Sequence, residues 1–129
     1  MPEPIDQLKR LYEEWAQGDY SRSDIFDPEM RMETLGMGEP LRAESYEGFL
    51  ETMRKWLSAW ERPITITAEE FIESGDRILV LITWSGRGRG SGAQIDSPGA
   101  HLWTFRDGRV VHYGVYRDRD EARAALEAG

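Results

Sequence analysis

The chain of 129 residues contains no cysteine and only two histidines. No disulfide, thiolate metal site or cysteine nucleophile can form, and a reducing, cytoplasmic setting is the natural expectation. Long apolar runs are missing as well. The longest, Ile78 to Ile82, falls far short of a membrane span, and Met1-Pro2-Glu3-Pro4 has neither the basic nor the apolar region of a signal peptide. Basic side chains are the minority, 16 against 24 acidic, and the resulting net charge of -8 disfavours nucleic acid as a partner. His101 and His112 lack the third protein ligand that zinc requires, so no metal and no cofactor are expected. What remains, 40% hydrophobic and 31% charged residues, describes one ordinary globular domain over residues 1–129.

Hydrophobic periodicity lays out the elements. Ile5, Leu8, Leu11, Tyr12 and Trp15 recur at spacings of three and four and predict an amphipathic helix that stops at Gly18. Asp19-Tyr20-Ser21 has capping chemistry for a short second helix towards Phe26, broken by Asp27-Pro28. Met30 to Leu35 reads as a strand, with Glu33 on the face opposite Met30 and Met32, followed by a loop with Gly36, Gly38 and Pro40. From Ser45, the stripe Tyr46, Phe49, Leu50, Met53, Trp56, Leu57 and Trp60 predicts a long helix closed off by Pro63. The period then changes to two. Strands are expected over Ile64 to Thr67, Phe71-Ile72, Ile78 to Trp84, Ala100 to Arg106 and Val110 to Arg117, with a hairpin at Asp107-Gly108. Asp118 and Glu121 form a capping box for a last helix. Helices first and antiparallel strands afterwards mean α+β. The strand from Ile78 is apolar on both faces, so Leu79, Leu81 and Val111 are expected on an outer face that a second subunit could cover. Gly86 to Gly92, a Gly/Arg tract between two strands, reads as a flexible hairpin near the pocket mouth.

This order and its punctuation resemble the SnoaL-like branch of the nuclear transport factor 2-like superfamily. The residues that carry the resemblance are Leu11-Tyr12-Glu13-Glu14-Trp15-Ala16-Gln17-Gly18-Asp19, Phe26-Asp27-Pro28-Glu29, Tyr46-Glu47-Gly48-Phe49, Ser74-Gly75-Asp76-Arg77, and His101 to Val111 in the last hairpin. The resemblance implies a cone: a curved antiparallel sheet wrapped around the N-terminal helices, with a pocket open at one end, and a homodimer. The same cone hosts ketosteroid isomerases, polyketide cyclases and plain binding domains, so the fold leaves the reaction open.

Two residues are candidates for chemistry. Glu33 falls where the isomerases carry their proton-abstracting carboxylate, and an apolar surrounding would raise its pKa towards neutrality. His101 shares a strand face with Trp103 and Phe105 and matches the position of an acid in the isomerases and a histidine in the cyclases. It suits an acid or a polarising donor. The tyrosine of the isomerases' first helix is Leu11 here, and Tyr12, ~100° away around the helix, is not expected to reach the same place. Tyr113 and Arg117 share one face of the last strand and could supply a donor or hold a ligand's carboxylate or phenolate. The pocket wall is expected from Trp15, Met53, Trp56, Ile82, Trp84, Trp103 and Tyr113. Met53 and Trp84 match pocket positions in the isomerases, while Trp60 is expected in packing. The sequence therefore points to a pocket for a flat, mostly apolar carbonyl compound, acting by cofactor-independent proton transfer. The alternative is a non-catalytic ligand-binding or dimeric interaction module of the same fold.

Overall fold

The computed structural model describes residues 3–36, 38–61 and 64–128. Among the described residues, three helices and six strands follow in the order α1 (Pro4–Trp15), β1 (Phe26–Leu35), β2 (Arg42–Ala43), α2 (Tyr46–Ser58), β3 (Thr65–Ser74), β4 (Arg77–Arg87), β5 (Gln94–Arg106), β6 (Arg109–Tyr116) and α3 (Arg119–Glu127). α1 starts with Pro4, whose missing N–H is not needed in the first turn, and buries Leu8, Leu11, Tyr12 and Trp15. It ends through Gly18, which takes the left-handed conformation at φ 79°. α2 is capped by Ser45, whose hydroxyl accepts from Gly48 N at 3.0 Å. Pro63, expected to close this helix, lies outside the described residues.

The short helix expected after Asp19 is not formed. The Asp19 carboxylate accepts from Ser21 N at 3.0 Å and from the Ser21 hydroxyl at 2.6 Å, a local turn that uses the same chemistry as a helix cap. The segment is then anchored elsewhere. Arg22 makes two 2.7 Å bonds to the Glu14 carboxylate, and the Tyr20 hydroxyl donates to the Ile64 carbonyl. β1 also begins earlier than expected and runs through Pro28. Its register against β6 is irregular between Phe26 and Arg31, so the missing proline N–H interrupts no regular ladder. The two short segments expected near residue 70 are one strand, β3, with an irregularity between Ala68 and Glu70.

The six strands form one open sheet in the order β2-β1-β6-β5-β4-β3. Strands β3 to β6 are an antiparallel meander, and Asp107 and Gly108 turn the β5–β6 hairpin with positive φ at both positions. The sheet is mixed rather than wholly antiparallel, because β1 runs parallel to β6. These two strands are separated by most of the chain, so no hairpin sets their relative direction. Register irregularities in the β1–β6, β3–β4 and β5–β6 pairs are bulge-like features that bend the sheet.

On one face α1 lies against β3 and α2 against β1, and the main core there gathers Leu8, Trp15, Met30, Ile64, Val80 and Trp103. On the other face α3 packs on β4, β5 and β6. Leu79 and Leu81, expected to await a second subunit, are instead buried with Ala100, Leu102, Ala122 and Leu126. The apolar second face of β4 is thus satisfied within the chain. Arg119 ties the start of α3 to the Gly99 and Ile82 carbonyls and to Glu69, and Arg77 ties its end by donating to the Ala125 carbonyl at 2.6 Å. No described helix is long and apolar enough to cross a membrane.

Candidate functional site

Between α2 and the sheet lies a cavity of about 420 Å³. Its side wall is apolar, built from Met53 and Trp56 on α2, Ile66 on β3, and Ile82 and Trp84 on β4. Trp84 is held between two other indoles, edge-on to Trp56 at 5.7 Å and to Trp60 at 5.2 Å. Leu41, Pro98 and Val115 also line the space, with Arg117 as the one charged side chain of the lining among the described residues. Arg117 is exposed. The Gly/Arg tract is docked rather than free: Gly88 bridges to Trp60, Arg89 N bonds the Ala59 carbonyl, and Arg89 Nε bonds the Ser58 carbonyl. It is therefore fastened to the end of α2.

Strand alternation decides which groups enter. On β1, Met32 and Thr34 face the cavity, and Glu33 faces away. Its carboxylate lies 3.3 Å from His112 Nε2 on β6, and both side chains are about one-third exposed. Glu33, expected as a proton-abstracting carboxylate in the cone, is thus placed outside the lining of this cavity. Trp15 and Trp103, expected in the wall, are 2% and 0% exposed and lie behind the lining as core. His101, Met53, Trp56, Ile82, Trp84, Tyr113 and Arg117 do meet around one space. Thr34, Leu41, Thr52 and Ile66 join them without having been singled out. Of these, Thr34 was legible through the alternation that placed Met32.

His101 is the polar centre of the closed end, 3% exposed. Tyr12, not expected to reach this region, does so: its Oη is 2.5 Å from His101 Nδ1 and accepts the Trp103 indole N–H at 2.9 Å. His101 Nε2 lies 3.2 Å from Tyr113 Oη. The protons follow from counting donors. Trp103 can only donate, so Tyr12 Oη accepts there, and the Tyr12 hydroxyl hydrogen has His101 Nδ1 as its one acceptor among the described residues. Leaving that buried hydroxyl unpaired would cost ~1–3 kcal/mol. The opposite tautomer would leave the Tyr12 hydroxyl unpaired away from the cavity, whereas this one leaves only the Tyr113 hydrogen free, where Tyr113 lines the cavity, so the network favours Nδ1 as acceptor and Nε2 as the protonated nitrogen. Burial holds the His101 imidazole down to about 3, so it is neutral near pH 7. Burial likewise pushes the Tyr12 and Tyr113 phenols well above their ordinary value. Every member of the chain is uncharged, and both His101 nitrogens are engaged. The closed end can polarise a bound group by hydrogen bonding, and among the described residues no aspartate or glutamate lines the cavity.

The sequence pattern of the SnoaL-like domain matches residues 8–113. The chain belongs to the SnoaL-like domain family. No curated protein matches it in sequence. Solved structures share the SnoaL-like architecture over nearly the full length. A nuclear transport factor 2-like protein from Burkholderia thailandensis superposes with a TM-score of 0.78 at 17% identity, covering 98% of either chain. TerC, co-crystallised with polyporic acid, gives 0.74 at 21% identity and covers 96% of this chain and 98% of its own. A protein with a ketosteroid isomerase-like fold from Catenulispora acidiphila, in complex with trimethylamine, gives 0.72 at 14% identity, covering 98% of this chain and 94% of its own. At these identities the likeness concerns the fold.

Proposed function

We propose that this SnoaL-like protein binds a flat, mostly apolar small molecule between the Trp56–Trp84 wall and the His101–Tyr113 end, and holds it without proton abstraction. The observation that carries the reading is the composition of the lining among the described residues: one cationic side chain, neutral polar groups and apolar walls, with Glu33 turned to the opposite face. A volume of about 420 Å³ suits a ligand of two to four fused rings. The co-crystallisation of TerC with a small molecule supports the pocket reading by analogy of fold. The net charge of -8 and the docked Gly/Arg tract favour no nucleic-acid partner.

The test is titration with flat apolar carbonyl compounds, steroid enones and anthraquinone-type polyketides among them, while following tryptophan emission. Saturable quenching is expected, because Trp56 and Trp84 line the space. A Thr52→Trp variant, which fills the cavity from α2, should abolish it. Quenching that persists in that variant, or no saturable quenching by any compound, would remove the proposal.

A further inference from the structure

Tyr113 closes the hydrogen-bond chain on the cavity side. Its oxygen lies 3.2 Å from His101 Nε2, and the preceding links place the proton on that nitrogen. Tyr113 Oη is therefore an acceptor towards His101, and its own hydrogen has no acceptor among the described residues. The ring has little freedom to turn away. Trp103 stacks on it at 4.1 Å with 19° between the planes, Phe49 meets it edge-on at 5.7 Å, and the side chain is 3% exposed while still lining the cavity.

Resting on the pocket reading above, we infer that Tyr113 is the specificity-determining donor of the site, its hydroxyl hydrogen directed at an oxygen of the ligand that carries no hydrogen itself, of the ketone or quinone type. His101 contributes as a positioning residue through Tyr113, and Tyr12 and Trp103 fix the direction of the chain from behind. Each hydroxyl in such a series is polarised by the donor before it, which strengthens the terminal donor relative to an isolated phenol. An alcohol in the same place would accept the Tyr113 hydrogen but bring a hydrogen of its own into an apolar wall. A hydrocarbon would leave the Tyr113 hydroxyl unpaired. The site thus ranks ketone above alcohol and above hydrocarbon of the same shape.

The experiment uses three tricyclic probes of one shape, 9-fluorenone, 9-fluorenol and fluorene, with the full chain. Nitrogen-15 NMR of labelled histidine in the unliganded protein should find His101 protonated at Nε2 and bare at Nδ1. Fluorenone should bind about five- to tenfold more tightly than fluorene, with fluorenol between them, and its carbonyl stretch should move to lower frequency on binding. Tyr113→Phe should make fluorenone and fluorene bind with equal affinity and abolish the carbonyl shift. A His101 proton on Nδ1 would overturn the inference even if the variant failed to fold, because it reverses the chain. Equal binding of fluorenone and fluorene without a carbonyl shift would overturn it while leaving the pocket reading intact. Failure of all three probes to bind would instead overturn the planar-ligand reading and the inference that rests on it.

Discussion

Glu33 and His112 face each other at 3.3 Å across β1 and β6, on the side of the sheet turned away from the cavity. Both side chains are about one-third exposed, so their attraction is screened by water and the pair is worth little. Glu33→Gln is accordingly expected to change stability by less than ~0.5 kcal/mol in urea denaturation. Ligand titrations of the variant should overlay those of the wild type. A tenfold loss of affinity would mean that Glu33 reaches the ligand after all.

His101 makes stability depend on pH. Its folded pKa of about 3 lies below the ordinary value of 6.5, so between these values the unfolded chain binds the extra proton and the folded chain does not. The contribution is fully present above pH 6.5 and is progressively lost as pH falls towards 3. Between pH 7 and pH 5 the wild type should lose about 2 kcal/mol from this group alone. His101→Gln, which cannot titrate, should show a shallower slope over that window even if less stable at pH 7. Glu69 and Asp19, whose carboxyls are held below their ordinary values first of all by side-chain hydrogen bonds from Thr83 and Ser21, act in a lower pH window. Identical slopes for wild type and variant between pH 5 and 7 would contradict a buried, neutral His101.

How far these features were legible differs from residue to residue. The faces of α1 and α2, the Asp107-Gly108 hairpin and the Asp118 cap follow from local periodicity and turn chemistry, which tertiary structure did not override. Asp19-Tyr20-Ser21 misleads because a carboxylate accepting from the residue two positions on serves a turn as well as a helix start. Alternation separated Glu33 from Met32 correctly, yet it says which residues share a face and not which face is concave. Tyr12 shows the same limit on a helix. The ~100° between neighbouring residues is sound, but the roll of α1 against β5, which brings Tyr12 rather than Leu11 to His101, is set by packing far along the chain. Leu79 and Leu81 were recognised as needing cover, and only the fold could reveal that α3 provides it.

Gly86 is required where the tryptophan wall meets β4. A Cβ at this position would lie 2.7 Å from Ile64 Cγ2 and 3.0 Å from the Trp60 ring. The Trp60 indole nitrogen is buried without a hydrogen-bond partner among the described residues, so the indole ring itself is held by packing. Gly86→Ala should therefore cost about 1–3 kcal/mol by overpacking. Displacement of Trp60 from the edge of Trp84 should appear as a change in near-ultraviolet circular dichroism. Unchanged stability and spectrum would mean that the end of α2 moves aside without resistance.

Leu126 tests whether α3 is what keeps the second face of β4 from water. It is 7% exposed and packs with Leu79, Leu81, Ala100, Leu102 and Ala122. Leu126→Ala removes about three methylene-sized groups from this small cluster and should cost ~2–3 kcal/mol, the lower part of the usual range because the helix is short and can settle inwards. Weakened docking would also uncover Leu79 and Leu81, two adjacent apolar side chains on a central strand. Such a patch promotes association. Sedimentation velocity of the variant should then report species larger than those of the wild type at equal concentration, reversed by restoring bulk with Leu126→Met. Loss of stability without added association would mean that α3 remains seated and the cost is the cavity alone.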